Sequence, residues 1–359
     1  MVILHIAQLD SFRASGVNVV VPGHVKHQRR LADAALWNIR EHFEIEGLEQ
    51  NFSAKSLDEL PPPYSRPDLA VFHELYIPEY LGIAKRLRKL GIPYIIVPHS
   101  SLNRAAQKKS RLKKLPANLL LFRPFCEKAA GIQCLSETEL NECAFGSNPF
   151  IAPNGIERQP VTKTSFHSDR LSFVYIGRLQ PYVKGLDIMI EAFASQKEYL
   201  LSNNCRLDIY GPDDDRGARF ADEIKMMISS AGAEELIALH PAVFGEEKTG
   251  ILLDSDIFIQ TSRSDGMPMS VLEALSFGLP CLLTEGTTFA GKAEQYGAGF
   301  NGGSSAKSVA TAIRKAVENR RKLMDYSSSA LRLSEEYNWD SAAQTAINKY
   351  KECLSPISK

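Results

Sequence analysis

Short apolar runs alternate with helix-length amphipathic segments along the whole 359-residue chain. Five runs of strand length lie in the first half, at residues 2–7, 69–72, 94–97, 132–135 and 150–152. Five more lie in the second half, at residues 172–176, 206–210, 237–239, 257–260 and 280–283. This alternation is typical of parallel sheets covered by helices, because parallel strands are joined by crossovers long enough to form a helix. The sequence therefore predicts an α/β fold with two doubly wound halves.

The chain length predicts two domains of ordinary size, since a single hydrophobic core rarely extends over more than ~250–300 residues. Residues 153–167 are polar, contain two prolines and show no periodicity, so we interpret them as the interdomain linker. We therefore predict an N-terminal Rossmann-like domain at residues 1–155 and a C-terminal one at residues 168–338. Residues 339–359 are predicted to form a final helix that packs back toward the N-terminal domain, with Trp339 as a core or interdomain anchor.

The composition is that of an average globular protein, with 44% hydrophobic and 23% charged residues. No apolar run approaches the roughly 18 residues that a membrane span requires, and the first residues lack the features of a secretory signal. The six cysteines form no Cys-x-x-Cys pair and are interpreted as buried thiols. We therefore expect a cytoplasmic protein in a reducing compartment.

Basic residues are concentrated in one stretch, although the 42 basic and 42 acidic residues of the chain balance. Between Lys85 and Lys128 there are twelve Lys or Arg residues and one acidic residue, Glu127, so this stretch has a net charge of +11. A helix is predicted within it at residues 108–122. The stretch is either a solvated helix face or a surface that meets anionic phospholipid or a lipid diphosphate. The second interpretation predicts peripheral contact with an anionic membrane, at the inner face of the cell membrane.

The segment at residues 261–280 carries two carboxylates on a loop and on the helix that follows it. A helix is predicted to begin near Pro268, since proline suits the first helical position, and its free backbone N–H groups favour an anion. Asp265 precedes this helix and Glu273 lies eight residues further on, so the two carboxylates can contact opposite ends of one ligand. The alternative is that Asp265 caps the helix and Glu273 is a solvated helix residue.

A second loop and helix start lies at residues 173–187, where Arg178 and Lys184 follow a predicted strand. Loops at the carboxyl ends of parallel strands are where doubly wound sheets bind ligands. Arginine can bind a diphosphate through two hydrogen bonds, and lysine acts as a point charge. Gly16, after the first strand, is interpreted as a position where the backbone approaches a phosphate. These residues together indicate a diphosphate ligand.

Three motifs in these segments resemble those of the family 4 glycosyltransferases, also described as glycosyl transferases group 1. They are Gly-Arg-Leu followed by Lys184-Gly185, Pro-Asn-Gly-Ile at residues 153–156, and Gly-x-Pro-x-x-x-Leu-Glu-Ala at residues 266–274. The resemblance extends over essentially the whole chain. It implies the GT-B fold, in which two Rossmann-like doubly wound domains face a central cleft, and a retaining transfer from a nucleotide-sugar donor.

By this resemblance Arg178 and Lys184 hold the donor diphosphate, and Glu273 accepts hydrogen bonds from the donor ribose. Asp265 stands where the family usually has the first Glu of its Glu-x7-Glu motif, so its shorter carboxylate is expected to contact the transferred sugar more closely or through water. Gly16 matches the second glycine of the family's Gly-Gly loop, in which Ser15 replaces the first. The expected donor-binding residues are Gly16, Arg178, Lys184, Gly266, Met267, Pro268, Met269 and Glu273.

His99 follows the predicted strand at residues 94–97 in the sequence Pro-His-Ser, which resembles the family's Pro-His-Gly motif. The resemblance places this histidine near the transferred sugar, where we expect it to donate a hydrogen bond to a sugar hydroxyl; a purely structural role is the alternative. Two other histidines, His24 and His27, are predicted to lie on the surface of a helix. The expected catalytic residues are His99, Arg178, Lys184 and Asp265.

The predicted function is transfer of a hexose from a nucleotide diphosphate sugar, with UDP favoured over GDP, to a saccharide or lipid-linked saccharide in surface polysaccharide or glycoconjugate assembly. No metal, other cofactor or nucleic acid is expected, since the resembled family works without a bound metal. A dehydrogenase and a P-loop enzyme are disfavoured, because neither glycine-rich motif is present. The alternatives are a non-catalytic paralogue that serves as a partner subunit, and another GT-B enzyme such as a sugar-nucleotide epimerase or a phosphorylase.

Overall fold

The computed structural model describes residues 1–12, 15–40, 44–108, 115–213 and 219–355. The chain divides into two compact units, which we call the N-terminal unit (Met1–Gly155 with Trp339–Lys359) and the C-terminal unit (Ile156–Asn338). Each unit contains one parallel β-sheet with helices between its strands, so the predicted α/β fold with two Rossmann-like sheets is confirmed. All ten runs predicted as strands form strands, with bounds within one residue of those expected.

The N-terminal unit contains a seven-stranded sheet in the order β3-β2-β1-β4-β5-β6-β7. Its strands are β1 (Val2–Ala7), β2 (Asp33–Asn38), β3 (Asn51–Phe52), β4 (Leu69–His73), β5 (Tyr94–Val97), β6 (Gly131–Cys134) and β7 (Pro149–Ile151). Its helices include α1 (Gly16–Gln28), α2 (Glu79–Lys89), α3 (Arg104–Lys108), α4 (Arg123–Glu127) and α5 (Glu137–Glu142), with a 3₁₀ turn at Leu57–Glu59 and a π-helical segment at Asn118–Phe122. The strand order reverses between β1 and β4, the position at which doubly wound sheets bind ligands.

The C-terminal unit contains a six-stranded sheet in the order β10-β9-β8-β11-β12-β13. Its strands are β8 (Leu171–Ile176), β9 (Cys205–Tyr210), β10 (Ile237–His240), β11 (Ile257–Gln260), β12 (Cys281–Leu283) and β13 (Gly299–Asn301). Its helices include α6 (Leu186–Ala194), α7 (Lys197–Ser202), α8 (Phe220–Ser230), α9 (Gly245–Asp254), α10 (Met269–Ser276), α11 (Ala290–Tyr296), α12 (Ala306–Glu318) and α13 (Leu323–Glu335), with 3₁₀ turns at Glu285–Thr287 and Arg320–Lys322. The strand order reverses between β8 and β11.

The central strands are buried along their whole length, because helices cover both faces of each sheet. Every residue of β4 and of β8 is buried, and aromatic side chains such as Phe72 and Phe173 are fully enclosed. Burial of one such side chain contributes about 1.5–3 kcal/mol, so the central strands hold the carboxyl-end loops on a rigid base.

Three strands lie outside the runs that the sequence predicted. The strand β2 begins at the exposed Asp33 and includes two alanines, so its apolar character is weak. The strands β3 and β13 contain two and three residues and are too short for a periodic pattern. The helix predicted at residues 108–122 falls in part on residues 109–114, which lie outside the described residues; the described remainder contains the π-helical segment at its end.

The boundary between the units lies between Gly155 and Ile156, inside the predicted linker. Residues 156–167 belong to the C-terminal unit. The backbone N–H of Lys163 donates to the carbonyl of Phe277 at 2.8 Å, and its Nζ donates to the carbonyl of Leu253 at 2.8 Å. The His167 Nδ1 lies 3.0 Å from Asp256 Oδ1. These contacts fix the aperiodic segment on the C-terminal sheet, although it has no secondary structure of its own.

The last helix, α14 (Trp339–Leu354), belongs to the N-terminal unit and packs against α1. Trp339 is 5% exposed and stacks on the His27 ring, with centroids 5.4 Å apart. A Cβ atom at Gly23 would lie 2.2 Å from the Trp339 ring, so only glycine leaves room for it. The prediction that His24 and His27 are surface residues is wrong, because α14 covers this face of α1 and leaves them 0% and 6% exposed.

Candidate functional site

A glycine allows the loop that follows β8 to pack closely against the end of β11. Gly185 has φ +64°, and a Cβ atom at this position would lie 1.9 Å from the carbonyl oxygen of Thr261. No other residue permits so close an approach, and glycine alone adopts this backbone conformation without strain. The neighbouring Lys184 consequently reaches Asp265, and its Nζ forms an ion pair with Asp265 Oδ2. Both side chains are mostly enclosed, at 16% and 18% exposure.

The Asp265 carboxylate is fixed by further hydrogen bonds from the end of β11. The buried Gln260 donates from Nε2 to Asp265 Oδ2 at 2.9 Å, and its Oε1 accepts from the Ser270 hydroxyl at 2.9 Å. The Asp265 backbone N–H donates to the carbonyl of Gly286 at 2.7 Å. Oδ1 of Asp265 makes no hydrogen bond with any described residue. Asp265 Oδ2 is therefore hydrogen-bonded within the protein, and Asp265 Oδ1 is available to a ligand.

Arg178 lies where the chain leaves β8, beside the end of β9. A Cβ atom at Gly211 would lie 1.9 Å from the Gly177 carbonyl oxygen, so the two strand ends approach each other without an intervening side chain. The Arg178 carbonyl accepts a hydrogen bond from the Tyr175 hydroxyl at 2.9 Å, which fixes the backbone at this point. The half-buried Arg178 guanidinium has no hydrogen bond or ion pair with a described residue. It is a positioned cation that is available to an anionic ligand.

The helix α10 begins at the end of the loop that carries Asp265. Pro268 is its N-terminal cap residue and makes no side-chain capping bond. The backbone N–H groups of Met269 and Ser270 have no acceptor among the described residues, so they present donors at the positive end of the helix dipole. The carbonyl of Gly266 accepts from the Thr288 hydroxyl at 2.5 Å, and Met267 is 7% exposed. The loop is thus anchored while the helix start stays open to an anion.

Glu273 pairs with a lysine that the sequence analysis did not identify. Lys248 on α9 forms an ion pair with Glu273 Oε2, and the two side chains are 23% and 26% exposed. Asp265 and Glu273, predicted as two carboxylates of one ligand site, therefore lie in two separate ion pairs at the two ends of the 265–273 segment. Nothing in the local sequence singles out Lys248, because a lysine in the first turns of a helix is common.

In the N-terminal unit, His99 lies where the chain leaves β5, in a strained backbone. His99 and Ser100 have φ values of +47° and +65°, a conformation that costs about 1–2 kcal/mol per residue without glycine. The buried Glu139 holds this turn: its Oε1 accepts from the Ser100 N–H at 2.6 Å and its Oε2 accepts from the Leu135 N–H at 2.7 Å. Such strain, kept in place by surrounding bonds, is common at functional sites.

Charged side chains lie at the carboxyl ends of the neighbouring strands β1, β2 and β4. Asp10 forms an ion pair with Arg40 at 2.9 Å and accepts from the Asn18 amide at 2.8 Å. Glu74 follows β4 with φ +69°. Burial, and after it the Asp10 carboxylate, raises the pKa of Glu74 to about 7. Neither Asp10 nor Glu74 was predicted from sequence.

Gly16 is the first residue of α1, and Ser15 is its cap. A Cβ atom added at Gly16 would meet nothing within 4 Å, so packing within the unit does not require glycine at this position. The N-terminal unit thus contains the predicted site residues Gly16 and His99, and the C-terminal unit contains the other eight. Lys184 and Asp265 are in direct contact, whereas Arg178 forms no hydrogen bond or ion pair with either of them in the described part of the chain.

The described residues contain no group of three or more His, Cys, Asp or Glu side chains arranged to hold a metal ion. Within the same residues, no helix combines the length and apolar character needed to cross a membrane.

Solved structures of glycosyltransferases share this arrangement of two parallel sheets over nearly the whole chain. Sucrose-phosphate synthase from Thermosynechococcus elongatus superposes with a TM-score of 0.78 and 13% identity, covering 98% of this chain and 99% of that one. HepE from Anabaena, solved in complex with UDP and glucose, superposes with a TM-score of 0.71 and 18% identity, covering 97% and 99%. At these identities the likeness shows the fold, which is GT-B.

Sequence comparison gives a family match in the C-terminal unit. The family Glycosyl transferases group 1 matches residues 159–332, which include Arg178, Lys184, Asp265 and Glu273. The mannosylfructose-phosphate synthase of Agrobacterium fabrum is 25% identical over 141 residues, or 39% of this chain. The match spans 31% of the length of that relative. The C-terminal unit therefore resembles the group 1 glycosyltransferases over most of its length.

Proposed function

We propose that the protein is a retaining glycosyltransferase that moves a hexose from a nucleotide diphosphate sugar to a saccharide or lipid-linked saccharide acceptor. The observation that carries this proposal is the charged cluster at the start of α10. There the Lys184 ammonium, the Asp265 carboxylate and two free backbone N–H groups are fixed by buried bonds. The half-buried Arg178 follows the neighbouring strand and has no ion pair in the described chain. Cations and amides suit a diphosphate, and a carboxylate suits sugar hydroxyls.

In this proposal each residue binds a different part of the nucleotide-sugar donor. Arg178, Lys184 and the N–H groups at the start of α10 bind the diphosphate, whose leaving oxygen gains negative charge as the bond to the sugar breaks. Asp265 accepts from hydroxyls of the hexose through Oδ1. Glu273 accepts from the ribose hydroxyls, for which it exchanges part of its contact with Lys248. Preorganised charges of this kind lower the barrier because they are already oriented before charge develops.

The reaction proceeds on one face of the sugar. The acceptor hydroxyl oxygen forms a bond to the anomeric carbon as the bond from that carbon to the diphosphate oxygen breaks, and the departing diphosphate takes the hydroxyl proton. No protein nucleophile is needed, and the configuration at the anomeric carbon is retained. We propose that protein cations, without a metal ion, stabilise the leaving diphosphate.

We propose a UDP-hexose as donor. Support comes from HepE, whose structure contains UDP and glucose, and from the fold that this chain shares with it. The mannosylfructose-phosphate synthase that matches part of the chain is named for a product that joins two sugar units, which supports a saccharide acceptor. We propose surface polysaccharide or glycoconjugate assembly as the setting, on the resemblance of the sequence motifs to the glycosyltransferase family.

A thermal-shift panel tests the proposal. Unfolding is measured with UDP, GDP and ADP, each with and without its common sugars; a ligand at 100 times its Kd adds about 2.7 kcal/mol of stability. We expect a rise with UDP and UDP-hexose that is lost in Arg178→Ala. If none of the nucleotides raises the unfolding temperature, a non-catalytic paralogue is favoured. A changed sugar nucleotide formed without acceptor would instead identify an epimerase.

We further propose peripheral contact with an anionic membrane at the cytoplasmic face, through the stretch between Lys85 and Lys128. The π-helical segment in this stretch exposes three adjacent leucines, Leu119, Leu120 and Leu121, at 66%, 72% and 48%. The exposed Arg123 lies two residues after Leu121, on the far side of the buried Phe122. Apolar side chains beside basic residues are suited to the interface of an anionic bilayer.

Vesicle sedimentation tests the membrane proposal. Binding to vesicles that contain phosphatidylglycerol should exceed binding to phosphatidylcholine vesicles. Leu120→Ser should weaken it by about tenfold or more, because burial of one leucine side chain contributes roughly 1.5 kcal/mol or more. Met226→Ser is the matched control, since Met226 is 63% exposed on α8 of the C-terminal unit. Equal binding to both vesicle types would remove the proposal.

A further inference from the structure

Three histidines of the N-terminal unit form a hydrogen-bonded row that ends at His99. They come from neighbouring elements: His5 from β1, His73 from β4 and His99 from the turn after β5. His5 Nδ1 lies 2.9 Å from His73 Nε2, and His73 Nδ1 lies 3.1 Å from His99 Nε2. His5 and His73 are 0% exposed. The row continues beyond His5, whose Nε2 lies 3.0 Å from Gln28 Oε1 on α1.

Each ring in the row is uncharged near neutral pH. Burial, followed by the charge of His24, lowers the pKa of His5 and of His99 to about 3. Burial also lowers the pKa of His73 well below its usual range. A neutral imidazole has one N–H donor and one acceptor nitrogen. The hydrogen bonds of the row must therefore all run in the same direction, and one fixed end determines that direction.

The fixed end is the Gln28 side-chain amide, whose Oε1 lies 3.0 Å from His5 Nε2 and can only accept. Gln133 Nε2 donates to the carbonyl of Ala152 at 2.9 Å, and a carbonyl can only accept. Gln133 Oε1 is therefore the acceptor, at 2.7 Å, of the Tyr350 hydroxyl. Burial raises the pKa of Tyr350, and the Gln28 side chain opposes this rise. The phenolic proton is thus directed to Gln133, and Tyr350 has only an acceptor left for Gln28, whose Nε2 makes no hydrogen bond with a described residue.

The direction passes from Gln28 along the row. With Nε2 of Gln28 toward Tyr350, its Oε1 faces His5, so His5 carries its proton on Nε2. His5 Nδ1 then accepts from His73 Nε2–H, and His73 Nδ1 accepts from His99 Nε2–H. His99 is left with an unprotonated Nδ1. His99 is half-buried, and its Nδ1 has no hydrogen bond with a described residue.

We propose that Gln28, His5 and His73 are positioning residues that fix His99 as its Nε2–H tautomer, so that Nδ1 accepts a hydrogen bond from a hydroxyl of the transferred sugar. The second clause rests on the proposed function. It reverses the expectation from sequence that His99 donates to the sugar. An acceptor nitrogen requires a hydroxyl donor on the ligand, so a deoxy sugar would leave Nδ1 unpaired.

Nitrogen-15 NMR of histidine-labelled protein tests the first clause without any ligand. A protonated and an unprotonated ring nitrogen resonate far apart, so two-bond correlations to the ring hydrogens identify each tautomer. At pH 7.5 we expect His5, His73 and His99 each to show protonated Nε2 and unprotonated Nδ1. A wild-type His99 that carries its proton on Nδ1 would overturn the proposal, and this measurement requires no variant.

A matched pair of substitutions separates the row from the general packing of the cluster. His5→Leu removes the acceptor of His73, and His24→Leu removes an imidazole that is equally buried and bonds to Asn154 outside the row. We expect His99 to lose its single tautomer and show a mixture in His5→Leu, and to keep the Nε2–H form in His24→Leu. A single Nε2–H tautomer in both variants would contradict control by the row.

The second clause is tested by adding UDP or UDP-glucose to the labelled protein. We expect the His99 Nδ1 resonance to move toward the protonated range with UDP-glucose and to stay in place with UDP. A His99 Nδ1 that is unmoved by UDP-glucose, when thermal shift shows binding, would refute the sugar contact. If UDP-glucose does not bind at all, the proposed function fails, and the tautomer measurement still decides the first clause.

Discussion

The two units differ in the polar side chains that their central strands and the following loops carry. The N-terminal unit buries uncharged imidazoles, with His5 and His73 at 0% exposure. The C-terminal unit uses ion pairs, and its Lys184 and Asp265 keep 16% and 18% exposure. A neutral ring with both nitrogens bonded can be enclosed fully, whereas a charged pair has a large desolvation cost that partial exposure reduces. At these positions the uncharged groups are the more deeply buried.

Because of this difference, we expect a different perturbation to affect each unit. A buried neutral histidine is destabilising only when acid would protonate it, so the N-terminal unit should respond to pH. An ammonium–carboxylate pair responds instead to removal of one partner, which leaves the other charge without compensation. Acid and charge substitution are therefore the perturbations that separate the two units.

The largest expected effect is acid destabilisation of the N-terminal unit. Burial lowers the pKa of His5 to about 3 and of His24 to about 4, so the unfolded chain binds more protons than the folded one as pH falls through ~6.5. At pH 5 each histidine should cost about 2 kcal/mol of unfolding free energy relative to pH 7.5. The two costs should add, because both rings stay neutral in the folded protein.

Urea unfolding at pH 7.5 and pH 5.0, followed by hydrogen exchange resolved by residue, measures this effect. Protection should fall in β1 and α1 more than in β8 and β11. His24→Leu should reduce the pH dependence by about 2 kcal/mol, whatever its effect at neutral pH. An equal loss of protection in both units at pH 5.0 would contradict this difference between them.

The next effect concerns turnover. Lys184→Ala removes a preorganised cation at the diphosphate and leaves Asp265 without its ion pair, so we expect kcat to fall on the order of 10²-fold. Lys292→Ala is the control, since Lys292 forms a 2.7 Å ion pair with Glu336 in the same unit, at 35% and 39% exposure. Steady-state kinetics on the folded variants measures both. Near-normal turnover of Lys184→Ala would remove Lys184 from the site.

The smallest effect is on donor affinity. Glu273→Gln replaces a carboxylate with an amide that accepts less strongly from ribose hydroxyls, so calorimetry should show donor affinity lowered several-fold, or about 1 kcal/mol. Lys248→Met removes the other half of the same ion pair. It should leave donor affinity unchanged or increased, because Glu273 is then free. Equal losses in both variants would show that Glu273 acts only through its ion pair.

Local sequence pattern was enough to predict the fold. Apolar runs such as β1 and β8 are buried on both faces, and this burial leaves a continuous run of apolar residues in the sequence. Two of the three strands that escaped prediction, β3 and β13, contain two and three residues and have no pattern of their own. Their pairing depends on the sheet that they extend, which no short window of sequence contains.

The candidate site was predictable where its residues lie in one motif and not where they come from distant segments. Lys184 and Asp265 stand in recognisable loops, and the structure brings them into contact. Lys248 and Glu139 reach their partners from other helices, so no local signal marks them. His24 was expected on the surface because the helix that covers it lies about 300 residues further along the chain.

Two separate segments of the chain, residues 1–155 and 339–359, form the N-terminal unit. During synthesis the second segment therefore appears well after the first. Among the described residues, α14, which begins at Trp339, covers the face of α1 that carries Gly23 and His27. Between the end of the first segment and Trp339, a ribosome must add the 183 residues of the C-terminal unit. At about 5–20 residues per second this takes roughly 10–40 s. Throughout that interval the nascent N-terminal unit has an uncovered apolar face, and a chaperone that binds such faces has time to act.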